Sequence, residues 1–161
     1  NEVKGGYSTL VDGYTVTEEL KKDHLDLYKI LTEIKVRYQF IDKDVYLENW
    51  AEMIELDDEG NFKQVRFSPR LDFVPLMDKD KLELYYSARN KISELYNSDK
   101  FKIQFKLSPG DLLMMDNHRL LHGRTEYNAN EGNRFLQGCY IDYDSTEGKL
   151  RHLKKKFNYE L

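Results

Sequence analysis

The strongest constraint on the fold lies between Leu107 and Tyr143. There a turn, an apolar run, a His-Gly-Arg corner and a second apolar run follow one another in under forty residues. Just upstream, Phe101, Ile103, Phe105 and Leu107 alternate with polar residues, which marks a half-buried strand. Pro109-Gly110-Asp111 is turn chemistry: proline presets φ, and glycine supplies an angle that other residues avoid. Leu112-Leu113-Met114-Met115 is a short apolar run of the kind that fills a core strand. It ends in Asp116-Asn117-His118-Arg119, so an apolar scaffold hands over to polar side chains. Sites commonly sit at such handovers, on a loop held by a rigid element.

The rest of the chain reads as helices and strands in mixture. From Thr17 the spacing of Leu20, His24, Leu27, Tyr28 and Leu31 predicts one amphipathic helix, capped by Thr15 or Thr17. His24-Leu25-Asp26 within it spells H-x-D, but residues two apart on a helix point about 200° apart and cannot chelate one ion. Val36, Tyr38 and Phe40 alternate as a strand, and a less regular stretch runs through Tyr46, Trp50 and Ile54. Residues 57–61 form a turn ahead of a strand over 62–67, and together these predict a hairpin. Asp80–Tyr96 is the longest helix, with Leu84, Ala88, Ile92, Leu95 and Tyr96 as its stripe. A terminal helix is expected around Leu150, Leu153 and Phe157, with Lys154–Lys156 as a solvated face. Gly5-Gly6, read alone, is a hairpin turn.

A chain of 161 residues, 40% hydrophobic and 34% charged, has ordinary globular composition and the length of a single domain over residues 1–161. The net charge of -4 gives no field favouring nucleic acid, and no apolar run is long enough to span a membrane. The single cysteine, Cys139, fits a reducing, cytoplasmic setting and is expected to be a buried strand residue. Twelve tyrosines make ring-lined pockets easy to build. The opening Asn1, with no initiator methionine, leads to the expectation of a chain that begins inside a longer gene product.

The order D-N-x-R-x-L-H-G-R (Asp116 to Arg124), followed by Arg134 twelve positions after His122, resembles the Fe(II)/2-oxoglutarate oxygenases of the taurine dioxygenase-like superfamily. Within it the sequence is most similar to the γ-butyrobetaine dioxygenases, with the trimethyllysine dioxygenases as close relatives. The resemblance implies a mainly β fold with flanking helices: a double-stranded β-helix, or jelly roll, here incomplete on its N-terminal side. It implies that His122 is a metal ligand and that Arg134 pairs with the distal carboxylate of 2-oxoglutarate. An imidazole is a good ligand for Fe(II), and a planar guanidinium matches a carboxylate bidentately. It also puts the Ser8 hydroxyl near 2-oxoglutarate, with Tyr7 where the family has aspartate. Tyr140, six positions after Arg134, would supply one ring for a trimethylammonium group. Arg70 is a candidate substrate contact. His118 stands where the family often has tryptophan, so closeness to any one member is open.

The family's H-x-D pair of metal ligands would fall before Asn1, so this chain should bind Fe(II) weakly by itself. Expected partners are a small-molecule substrate and molecular oxygen, and a homodimer is one expected assembly. Three readings stay open: the C-terminal part of an active dioxygenase, a non-catalytic relative that binds or interacts, or a coincidental motif with His122 as a core residue. His122 and Arg134 are expected to face one cavity with Ser8 and Tyr140 on its walls. The parity of Arg134, Leu136, Gly138 and Tyr140 supports this if the strand is unbroken. With strands missing, exposed apolar edges and poor solution stability follow.

Overall fold

The structure is a computed structural model that describes residues 5–128, 130 and 135–159. The described chain divides into two compact units, one spanning Gly5–Tyr127 and one holding the described residues after it. The first unit runs β1 (Ser8–Asp12), α1 (Gly13–Asp23), α2 (Leu25–Glu33), β2 (Lys35–Asp42), β3 (Val45–Glu52), β4 (Ile54–Leu56), β5 (Phe62–Val65), β6 (Asp72–Phe73), α3 (Lys79–Asn97), β7 (Lys102–Phe105) and β8 (Leu120–Arg124). The second contains α4 (Tyr143–Lys156). The strands form three antiparallel sheets, ordered β7-β1-β8, β3-β2-β6 and β4-β5. Among the described residues they close no barrel.

The core is where the helices cover the sheets. α1 buries Val16 and Leu20, α2 buries Tyr28 and Leu31, and α3 buries Tyr85, Ala88 and Ile92. Val36, Ile54 and Val65 meet them from the strands, with Met53 from the bend between β3 and β4. Each large side chain removed from water contributes about 1.5–3 kcal/mol, so the packing of these three helices dominates the stability of this unit. α3 is further tied to β6 by a fork: Arg89 Nε and Nη2 donate to the two Asp72 carboxylate oxygens at 2.9 and 3.1 Å. The β4–β5 hairpin is pinned at Glu55, which accepts from Gln64 at 2.7 Å and pairs with Lys63 and Arg66 at 2.6 and 2.5 Å. Its turn is shaped by Asp57, which accepts from the Glu59 and Asn61 amides, and by Gly60 at φ +83.

Several expectations are met. α3 spans the predicted helix, β2 carries Val36, Tyr38 and Phe40, and the 57–61 turn joins two strands. Others are corrected. The predicted single helix is two, broken at His24, whose φ of -145 and ψ of 66 are not helical. The α1 cap is Asp12 rather than a threonine, because the Asp12 carboxylate reaches the Tyr14 amide and the Thr15 hydroxyl at 3.3 and 2.7 Å. Leu112–Met115 is not a strand, and Leu112 and Met114 are 90% and 73% exposed. No described strand pairs with this run, and an apolar sequence without a ladder partner has no reason to extend into a sheet. Residues 135–142 likewise form no strand, and Cys139 is exposed rather than buried. Apolar side chains do lie open at the sheet margins, Ile103 of β7 among them.

Candidate functional site

The glycine pair opens the site. Gly5 and Gly6 have φ of +80 and +68, in the left-handed region that side chains avoid. They make no hairpin turn. They lead the chain into β1 alongside residues 125–127, with Gly6 N–H donating to Glu126 O at 3.1 Å and Thr125 N–H to Tyr7 O at 3.0 Å. A Cβ on Gly5 would collide with the Glu126 carbonyl, so both close approach and φ demand glycine.

From there β1 lies between β7 and β8. Leu10 pairs with Ile103 on one side and His122 on the other, while Ser8 pairs with Phe105 and Arg124. Paired residues of an antiparallel ladder share a face, so Ser8, Leu10, His122 and Arg124 project to one side of this sheet. Val11 and Leu121 share the opposite face, and both belong to the core cluster. Ser8 and His122 are therefore diagonal neighbours on the face turned away from the core, about 7–8 Å apart by sheet geometry. Their sequence separation exceeds one hundred residues, and the register alone brings them together.

The start of β8 is fastened by contacts that sequence reading missed. Arg119 Nε and Nη2 donate to the two Asp12 carboxylate oxygens at 2.8 and 2.7 Å. The same carboxylate caps α1, and the Arg119 guanidinium lies 5.2 Å from the Tyr14 ring centroid. The Arg119 hydrogen bonds hold the Asp12 carboxyl below its ordinary range, against some desolvation. Gly13 N–H donates to Arg119 O at 2.9 Å. A turn at the end of β1 thus clamps the residue just before β8, three positions ahead of His122. The one legible signal was an aspartate directly before the helical run, the usual place for an N-cap.

The remaining expected site residues are Arg70, Arg134 and Tyr140. Arg70 is exposed in a tight turn closed by Leu71 N–H donating to Ser68 O. Next to it a shallow cleft of about 350 Å³ is lined by Pro69, Asp72, Phe73, Val74, Tyr86 and Arg89. Arg134 lies outside the described residues. Tyr140 belongs to the second unit, is 84% exposed and sits in no strand, so the parity argument linking it to Arg134 loses its premise. Among the described residues no three His, Cys, Asp or Glu side chains converge as a metal site. His122 offers a single exposed imidazole on an open face, which suits one position of an Fe(II) ligand set. No helix among the described residues is long and apolar enough to cross a membrane.

Comparison with known proteins gives a consistent picture. The family model described as "Taurine catabolism dioxygenase TauD, TfdA family" matches residues 1–140. The human γ-butyrobetaine dioxygenase is 35% identical over 96% of this chain and 41% of its own length. The γ-butyrobetaine dioxygenase of Pseudomonas sp. (strain AK-1) is 30% identical over 96% of this chain and 40% of its own. A trimethyllysine dioxygenase of Meyerozyma guilliermondii is 28% identical over 95% of this chain and 39% of its own. The chain thus spans about two-fifths of the length of these relatives. On the match over residues 1–140 and the ordered motif around His122, this chain belongs to the TauD/TfdA dioxygenase family.

Proposed function

We propose that this chain is part of an Fe(II)- and 2-oxoglutarate-dependent dioxygenase that hydroxylates a small trimethylammonium carboxylate such as γ-butyrobetaine. The observation that carries the reading is the β1–β8 register, which sets Ser8 beside His122 on the face away from the core. In this reading His122 would be one ligand of the Fe(II), and the bound metal would supply oxygen activation, with molecular oxygen as the oxidant and 2-oxoglutarate as the co-substrate that gives two electrons on becoming succinate and CO2. Ser8 contributes a hydroxyl to the co-substrate, and Arg134 holds its distal carboxylate by a bidentate fork. Tyr140 presents a ring to the trimethylammonium group, an attraction of about 0.5–2 kcal/mol, and Arg70 contacts the substrate. Trimethyllysine is the competing substrate, supported by the similarity to trimethyllysine dioxygenases. The single cysteine accords with a cytoplasmic setting.

The test is succinate release by the full-length protein with γ-butyrobetaine and with trimethyllysine in separate arms. Faster turnover of γ-butyrobetaine is expected, and Arg134→Ala should chiefly raise the concentration of 2-oxoglutarate required. Faster turnover of trimethyllysine would reassign the substrate, and no 2-oxoglutarate consumption with either would leave a non-catalytic relative. The 161-residue chain alone should not couple 2-oxoglutarate consumption to hydroxylation, because one imidazole cannot fix an ion in a three-ligand face.

A further inference from the structure

The two arginines of the D-N-x-R-x-L-H-G-R motif are used differently. Arg119 is tied to Asp12 by a fork of two hydrogen bonds. Arg89 and Arg66 are likewise committed, to Asp72 and Glu55. Arg124 has no carboxylate partner among the described residues. It is the last residue of β8, exposed, and paired in register with Ser8. Its guanidinium lies 4.3 Å from the centroid of the Tyr127 ring.

We infer that Arg124 is a carboxylate-anchoring residue of the Ser8–His122 face, holding the carboxylate of a short organic acid there. This rests on the proposed dioxygenase function. Three physical arguments support it. First, alternation places Arg124 on the same face as His122, about 7 Å along the strand, so a short-chain acid can lie with one end at each. Second, stacking on Tyr127 narrows the guanidinium's rotamers, so less entropy is lost when it binds a carboxylate. Third, an arginine left without an acid keeps its whole donor fork for a ligand, and that fork fits a carboxylate in plane. The carboxylate has two chemical sources, 2-oxoglutarate and a betaine substrate, and the same residue fits either.

The experiment uses the ¹⁵N-labelled full-length protein without metal, titrated at constant ionic strength with 2-oxoglutarate, γ-butyrobetaine and choline, which lacks a carboxylate. The Arg124 Nε–Hε resonance and the Ser8 and Gly123 amides are followed by NMR in the native chain, Arg124→Gln and Arg124→Lys. A saturable shift at these three positions is expected with at least one carboxylate and not with choline. Arg124→Gln should weaken that binding about tenfold, the ratio expected for loss of a charge-assisted pair, and Arg124→Lys should weaken it less. Saturation by γ-butyrobetaine alone assigns the substrate carboxylate to Arg124, and saturation by 2-oxoglutarate alone assigns Arg124 the co-substrate carboxylate in place of Arg134. Equal binding by Arg124→Gln, or no shift beyond that of exposed Arg70, overturns the inference. Such a failure leaves His122-dependent turnover of the full-length protein intact. Failure of the dioxygenase reading would instead remove turnover and leave carboxylate capture by Arg124 in place.

Discussion

Gly13→Ala sets two effects of opposite sign against each other. Gly13 is the first residue of α1, and alanine improves on glycine by up to about 1 kcal/mol in a helix interior, with less of that available at the first position. Against this, a Cβ at residue 13 would stand 2.7 Å from Arg119 O and 2.5 Å from Val65 Cγ1. Ordinary contact needs about 3.5–4.0 Å, so one or both neighbours must move by close to 1 Å. Val65 is buried and cannot swing into solvent, and retreat of Arg119 O stretches the 2.9 Å bond from Gly13 N–H. Overpacking of this kind costs about 1–3 kcal/mol, and a weakened hydrogen bond adds about 0.5–1.5 kcal/mol. The steric term wins, and a net loss of about 2–3 kcal/mol is expected. For a chain of this size that lowers the melting temperature by roughly 4–12 °C. Urea unfolding followed by far-UV circular dichroism is the assay, with an unchanged denaturant slope showing that the folded state itself is destabilised. A Gly13→Ala chain as stable as the native one would refute the close seating of the β1–α1 turn against the start of β8.

Other residues give sharper tests of single interactions. Arg89→Ala strands Asp72, whose side chain is 2% exposed, and should cost about 3 kcal/mol by the same urea measurement; a loss below 1 kcal/mol would count against a buried pair. At Glu55 desolvation pushes the carboxyl up, but hydrogen bonds from Lys63, Gln64 and Arg66 together outweigh it and hold it at about 2, against 4.5 ordinarily. Because the folded value is depressed, this stability is present above pH 4.5 and is lost as pH falls toward 2. The difference converts to at most about 3 kcal/mol, trimmed to about 1–2 by solvent at this partly open site. Glu55→Gln should flatten that part of the pH–stability curve, and an unchanged slope would argue against the cluster. Tyr85 has a buried hydroxyl with no hydrogen-bond partner among the described residues, so Tyr85→Phe should be neutral or stabilising by about 1 kcal/mol in thermal melts. A clear loss would show that the hydroxyl is satisfied.

Local structure is legible in this sequence, and strand pairing is not. α3 was legible because nineteen residues repeat one apolar stripe, and the β4–β5 hairpin because Asp57 and Gly60 carry turn chemistry. The His122 motif was legible because its residue order is specific, yet its neighbours were not. Ser8 reaches His122 only through a ladder between residues more than a hundred positions apart, which no local pattern encodes. Leu112–Met115 and residues 135–142 misled for a related reason. Apolar composition states that a segment would gain from burial, but a strand needs a partner with matching register, and none of the described strands provides one. The break at His24 leaves no mark in the sequence because the apolar spacing continues across it, from Leu20 to Leu27 and Leu31. Asp12 is hard to pick out as the cap because two threonines nearby are also good caps, and the choice rests on where the helix starts, at Gly13.

In the proposed site the exposed His122 imidazole on β8 is a ligand of the reactive metal. The most direct measurement is succinate release with γ-butyrobetaine by the full-length protein and its His122→Ala variant, at saturating Fe(II) and 2-oxoglutarate, with circular dichroism confirming that both are folded. Loss of succinate release in the variant is predicted. Unchanged release by His122→Ala would contradict the assignment of that residue as a ligand and with it the proposed site.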